Sequence, residues 1–289
     1  MKNVIKRVTL VAVTVPLLYA LAFYIPFMNH LPLILIILAF VAGSAVELIR
    51  MLEPQARPLR VLAALLFALI PPVAVYAYSI ANPESSFLYR WLMPTGAATL
   101  ACFMLSGLPL AFSRQRNDIM AAARTATSNA LIALYPGAMS TALVAVPSID
   151  VYGGRLIIWY SLIVFANDSL AWLFGITIGR TRGIVAVSPK KSLEGFIAGM
   201  TGSVAAALAG SFLFPGMVPG NWPALFIAGL ACGFMVIAGD LFESAIKRAV
   251  SVKDSGSMIP GRGGILDSFD SLLFTSPIFA GFLILLRMT

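Results

Sequence analysis

The chain has 289 residues, of which 60% are hydrophobic and only 11% charged, and its formal net charge is +8. Soluble domains carry about 25% charged residues, so this composition excludes a water-soluble globule and reads as a helical membrane protein. A basic excess would suggest nucleic acid in a soluble chain. Here it suggests loops that meet anionic lipid, and no nucleic-acid partner is expected.

Nine apolar runs predict an all-α polytopic membrane protein with about nine transmembrane helices. The first follows Lys2, Lys6 and Arg7 and continues to about Met28, too long for the apolar core of a cleaved signal peptide. The others cover residues 31–49, 59–80, 91–112, 127–147, 156–178, 196–214, 224–246 and 272–286. Residues 113–126 and 179–195 read as the longer polar loops, together with the stretch that follows the eighth run. With the N-terminus cytoplasmic and the C-terminus outside, only Arg90, Arg155 and Arg287 of the 20 Lys and Arg fall on the outer side. One miscounted span would invert every later loop and destroy that asymmetry. Residues 1–126 therefore form an N-terminal set of about four spans. Residues 127–289 form a second set of about five, with cytoplasmic loops at 179–195 and 247–270.

Several chemistries are disfavoured at once. His30 is the single histidine, so neither a Ser-His-Asp triad nor a multi-histidine zinc site is expected. Cys102 and Cys232 lie inside apolar runs without a C-x-x-C partner and read as small buried hydrophobes. No G-x-x-x-x-G-K-[ST] phosphate loop is present. Glu47, beside Arg50 at the end of the second run, reads as an interfacial charge.

Polar residues gather in two places. In FANDSLAWLFGITIGRTRGIVAVSPKKSLEGF, Asn167 and Asp168 sit inside an apolar run, where an acid is a site hypothesis by default. Ala171, Gly175 and Gly179 recur every four residues and read as a stripe for close helix packing. Ser188 and Pro189 suit the N-cap and first position of a helix, whose free N–H groups, with Lys190 and Lys191, would suit phosphate. The second place is GDLFESAIKRAVSVKDSGSMIPGRGGILDSFD, residues 239–270. There Asp240, Glu243, Ser244 and Lys247 fall on one helical face. Glu243 and Lys247 could equally pair along the helix surface, and Asp267 and Asp270 could be acids favoured by a helix start.

The pattern S-x-x-K-R, four residues, K-D-S-G-S, P-G-x-G-G-x-x-D-x-x-D resembles the signature of the phosphatidate cytidylyltransferase (CDP-diacylglycerol synthase) family. Ser244, Lys247, Arg248, Lys253, Asp254, Pro260, Gly261, Gly263, Gly264, Asp267 and Asp270 carry it. Arg262 stands where that family usually has His, and Ser268 where it usually has Arg. N-D-S-x-A-W-x-x-G-x-x-x-G-R with S-P-K-K-S-x-E-G, over residues 167–195, resembles the same family. The resemblance implies transfer of a cytidylyl group from CTP to phosphatidate, magnesium dependence, a homodimer, and a site on the cytoplasmic side of a bacterial inner membrane. It implies Asp240, Lys247, Asp267 and Asp270 as catalytic residues. Asn167, Asp168, Ser188, Lys190, Lys191, Ser244, Arg248, Lys253, Asp254 and Arg262 would contact substrate. Asp168, Asp240, Asp267 and Asp270 would hold metal.

The chemistry is compatible with that residue set. A phosphate monoester is already a nucleophile, so attack on the α-phosphorus needs alignment and charge neutralisation, not a Ser-His pair. Carboxylates without His or Cys favour magnesium over zinc. One alternative is a CTP-using enzyme acting on a polyprenyl or ether-lipid phosphate. Another, of a different class, is an ion-coupled transporter with Asp168, Asp240 and Glu243 on a cation path. Transporters commonly show two related halves, and this sequence shows none.

Overall fold

The protein was analysed as a computed structural model, which describes residues 16–149, 153–259 and 263–286. Helical residues 16–24 lead into eight helices long and apolar enough to cross a membrane. These are α1 (Phe27–Leu52), α2 (Pro58–Ala81), α3 (Phe87–Phe112), α4 (Arg116–Ser148), α5 (Gly153–Thr177), α6 (Leu193–Leu213), α7 (Trp222–Ala249) and α8 (Leu266–Leu285). Among the described residues there is no strand beyond two isolated bridges. The chain is an all-α polytopic membrane protein. Helices satisfy their own backbone, which is what a spanning segment requires where no water is available. Residues 8–15 of the first expected run lie outside the described residues, as do Lys2, Lys6, Arg7, Arg262 and Arg287.

Two boundaries differ from expectation. Residues 113–126 read as a loop, yet α4 begins at Arg116. The stretch RNDIMAAARTATSN lacks apolar weight but is rich in alanine, the best helix former, so it extends the helix beyond its greasy part. The same rod then widens into a π-helical turn at Ala133–Ala138 around Pro136. Proline has no N–H to give to the ladder, and its ring crowds the preceding turn. The last helix also starts earlier, at Leu266, so Asp267 lies in its first turn and Asp270 one turn further on.

The α5–α8 bundle owes its closeness to small residues. A Cβ placed on Gly199 of α6 would lie 2.6 Å from Asn167 Oδ1 and 3.1 Å from the Ala171 side chain. One on Gly229 of α7 would lie 2.6 Å from the Val204 backbone. Lipid tails are as apolar as leucine, so such helices gain from close packing and from hydrogen bonds across the contact. Asn167 is used this way: its side-chain amide donates to Ser203 Oγ at 2.9 Å and to the Gly233 carbonyl at 3.3 Å. It is buried, and it ties α5, α6 and α7 together. Trp159 Nε1 donates to the Ala206 carbonyl at 3.2 Å, and Tyr160 Oη donates to the Leu272 carbonyl of α8. The stripe at Ala171, Gly175 and Gly179 is part of this packing face, against Gly195, Gly199 and Ser192.

Candidate functional site

The C-terminal ends of α1, α5 and α7 and the N-terminal ends of α6 and α8 meet at one end of the bundle. On α7, i+3 and i+4 spacing does bring Glu243, Ser244 and Lys247 inward, and all three are buried. The Lys247 ammonium forms salt bridges with Glu243 and, at 2.6 Å, with Asp267 Oδ1. Glu243, 1% exposed, has that ammonium as its ion-pair partner. One turn back, Asp240 is paired with Lys191 from the loop before α6. Each sequence motif thus supplies one half of an ion pair with the other. The cost of burying charge near the membrane edge is offset by opposite charge at contact.

Among the described residues outside the spanning helices, Lys191 has a clearly lowered pKa. Burial lowers its pKa from 10.5 to about 8, against the opposing pull of Asp270 and Asp168. An ammonium disfavours a dry site, while nearby carboxylates favour it; here dryness wins.

Asp168, Asp267 and Asp270 line one cavity of about 210 Å³, together with Val164, Phe165, Ser268, Ser271 and Leu272. Asp168 is exposed to that space, whereas Asp270 is buried and accepts a hydrogen bond from the Ser271 N–H at 2.6 Å. The structure therefore gathers three of the four expected metal ligands at one cavity and leaves Asp240 beside it, on Lys191. Among the described residues no three acids, cysteines or histidines already form a metal cluster. Magnesium does not require one. It keeps several waters and is commonly held by one or two carboxylates plus substrate phosphates. The carboxylate oxygens of Asp168, Asp267 and Asp270 at one cavity are the kind of donor that suits such a hard cation.

The remaining expected residues are less gathered. Ser188 does not cap a helix: α6 starts at Leu193, and Ser192 Oγ accepts from the Gly195 N–H at 3.2 Å. Residues 179–192 instead form a tight hairpin, with Gly183 N–H donating to the Pro189 carbonyl and Leu193 N–H to the Thr181 carbonyl. Glu194 accepts from the Arg180 and Thr181 backbone and from the Thr181 hydroxyl, holding that hairpin to α6. Lys190 is exposed on the returning leg of that hairpin, and Lys253 and Asp254 are exposed in the second loop. Arg248 donates to the Val187 and Val252 carbonyls, joining the two motif loops. Ser268 lines the cavity; its hydroxyl donates to the Gly264 carbonyl and its N–H to the Ile265 carbonyl. Arg262 lies outside the described residues.

Sequence reasoning missed Glu47. It is 5% exposed rather than interfacial, and it accepts hydrogen bonds from Ser255 and from the start of α8. Its partners lie more than 200 positions away, so no local pattern could announce them. A carboxylate one turn inside an apolar run was the available signal.

A profile described as the cytidylyltransferase family matches residues 5–286. A phosphatidate cytidylyltransferase of Helicobacter pylori strain J99 is 40% identical over 141 residues, 49% of this chain and 51% of that protein. One from Bacillus subtilis is 36% identical over 147 residues, 51% of this chain and 54% of the other. An uncharacterized Escherichia coli protein, YnbB, is 38% identical over 142 residues, 49% of this chain and 47% of its own length. The chain spans about half the length of these relatives.

Proposed function

Because the chain belongs to the cytidylyltransferase family, we propose that it transfers a cytidylyl group from CTP to phosphatidate, giving CDP-diacylglycerol and pyrophosphate. The observation that carries this reading is that the two motifs meet at one end of the bundle, through the Lys191–Asp240 pair and through the cavity that Asp168 shares with Asp267 and Asp270. A phosphate oxygen of the lipid attacks the α-phosphorus of CTP, and the bond to the β-phosphate bridging oxygen breaks with release of pyrophosphate. The lipid phosphate is already anionic and needs no base to deprotonate it, so the protein's task is to align two anions and neutralise them.

In this reading Lys190, Lys191, Lys253 and Arg262 meet the triphosphate from the loops. Arg248 ties the loops together, and Lys247 keeps Asp267 and Glu243 from repelling each other. Asp168, Asp267 and Asp270, with Asp240 beside them, would hold magnesium at the cavity. A magnesium ion there would offset charge on the triphosphate and the attacking oxygen. The lipid acceptor would reach the cavity sideways from the bilayer with its acyl chains still in hydrocarbon. We further propose that the site faces the cytoplasm of a bacterial inner membrane and that the protein works as a homodimer.

The test is incubation of purified protein with radiolabelled CTP, magnesium and a panel of lipid phosphates, followed by extraction into organic solvent. A lipid-soluble cytidine product with phosphatidate supports the reading. Product formed only with a polyprenyl or ether-lipid phosphate replaces the acceptor. No product with any lipid contradicts cytidylyl transfer altogether.

A further inference from the structure

We propose that Glu47 is a positioning residue of this site: a carboxylate from the first spanning helix acts as the built-in anion at the start of α8 and thereby fixes Asp267. The catalytic consequence rests on the cytidylyl-transfer reading; the geometry does not.

Both oxygens of Glu47 are engaged. Oε1 accepts from the Ile265 N–H at 2.9 Å, and Oε2 accepts from the Leu266 N–H at 2.9 Å and the Ser255 hydroxyl at 2.8 Å. The first amides of a helix have no partners within it and lie at the positive end of its dipole, which is why such ends bind anions. Ile265 stands at the N-cap of α8 and makes no side-chain cap hydrogen bond, so the place of the cap is taken by a residue from α1. The glycines around it make room for that carboxylate. A Cβ on Gly256 would lie 2.8 Å from Glu47 Cδ, and one on Gly264 would collide with Glu47 Oε2 and sit 2.7 Å from the Gly256 nitrogen. Gly256 and Gly264 thus flank an internal carboxylate. The amides at the head of α8 are already committed, which leaves substrate anions to the lysine side chains.

Ser255 relays this hold to Asp267. Its hydroxyl donates to Glu47 and accepts from the Asp267 N–H at 3.3 Å, while its own N–H donates to Asp267 Oδ2 at 2.9 Å. Gly264 N–H donates to the same Oδ2 at 2.7 Å. With Oδ2 held by the loop, Oδ1 is turned toward Lys247. Partners one shell behind a ligand typically change metal affinity or activity by about 10- to 100-fold when removed.

The test compares wild type with Glu47→Gln and Ser255→Ala. Gln has the same shape but puts an NH2 group where one of the two accepting oxygens stood. Three readouts are taken: amide hydrogen exchange by mass spectrometry, manganese binding by electron paramagnetic resonance without nucleotide, and kcat and KM for CTP. In Glu47→Gln, exchange over residues 264–267 should rise at least about 10-fold while residues 272–283 stay as in wild type. Manganese affinity should fall by about 10-fold, and kcat should fall by a similar factor with KM for CTP within about threefold. Ser255→Ala should move the same quantities in the same direction by less.

Unchanged exchange at 264–267 overturns the proposal, and so does faster exchange with unchanged manganese binding. If Glu47→Gln cannot be recovered from membranes, Ser255→Ala decides by the same two criteria. A wild type that neither transfers cytidylate nor binds manganese would sink the functional reading, while the exchange data would still decide whether Glu47 holds the loop.

Discussion

Lys247 offers the most quantitative test of how the acid cluster is held together. Its ammonium lies 2.6 Å from Asp267 Oδ1 and also bridges Glu243, with only 11% of the lysine side chain exposed. At an effective dielectric of about 20, one such contact is worth about 6 kcal/mol of Coulomb attraction before desolvation is counted. Taking one partner from a buried pair leaves the other uncompensated and typically costs about 3–5 kcal/mol. Lys247→Met should therefore destabilise the protein by about 3–5 kcal/mol, measured by denaturant unfolding in mixed micelles. Most of that loss comes from two carboxylates facing each other. Glu243→Gln in the same chain should recover at least about 2 kcal/mol of it, as the coupling in a double-mutant cycle. Lys247→Met within about 0.5 kcal/mol of wild type, or strictly additive effects, would refute the reasoning.

Other outcomes follow from single contacts. If the charge on Lys191 serves the reaction, kcat/KM should fall as pH rises through about 8, because burial lowers the pKa of this lysine to that value. In Lys191→Arg, which stays charged, the falling limb should move to higher pH. The stability sign is opposite: between about 8 and 10.5 the unfolded chain holds more protons at this position, so stability should rise with pH in that window. Tyr135 on the π-helical turn is buried, and its hydroxyl has no hydrogen-bond partner among the described residues. An unpaired buried hydroxyl costs about 1–3 kcal/mol, so Tyr135→Phe should stabilise the protein, with activity within about twofold of wild type. Gly229→Leu should fail to pack α7 against α6, costing about 1–3 kcal/mol or more; normal thermal stability in that variant would contradict the close approach at Val204.

Much of this arrangement was legible in the sequence, but unevenly. Long apolar runs announce their own helices because hydrocarbon leaves the backbone no alternative. Helical spacing correctly put Glu243, Ser244 and Lys247 on one buried face of α7. Where polarity was the only guide it failed: residues 116–126 are helical by alanine content and continuity with α4, not by hydropathy. Ser188-Pro189 has the composition of a helix start, yet Ser192 performs that role because the hairpin before it is closed by its own hydrogen bonds. Asn167, read as a substrate contact, spends its amide on Ser203 and Gly233 between helices. Glu47 stood out in the sequence only as an acid in an apolar run; its partners were not legible because they meet only once α1 and the start of α8 are side by side.

Asp267 is where the loop, Lys247 and the cavity come together, so its carboxylate is the most direct point of attack. The deciding measurement follows labelled CTP into lipid product with phosphatidate, with and without magnesium, for wild type and for Asp267→Asn. The account predicts magnesium-dependent product from wild type and a loss of at least about 100-fold in kcat/KM for Asp267→Asn, with the variant still inserted in the membrane. Full turnover by Asp267→Asn would contradict it.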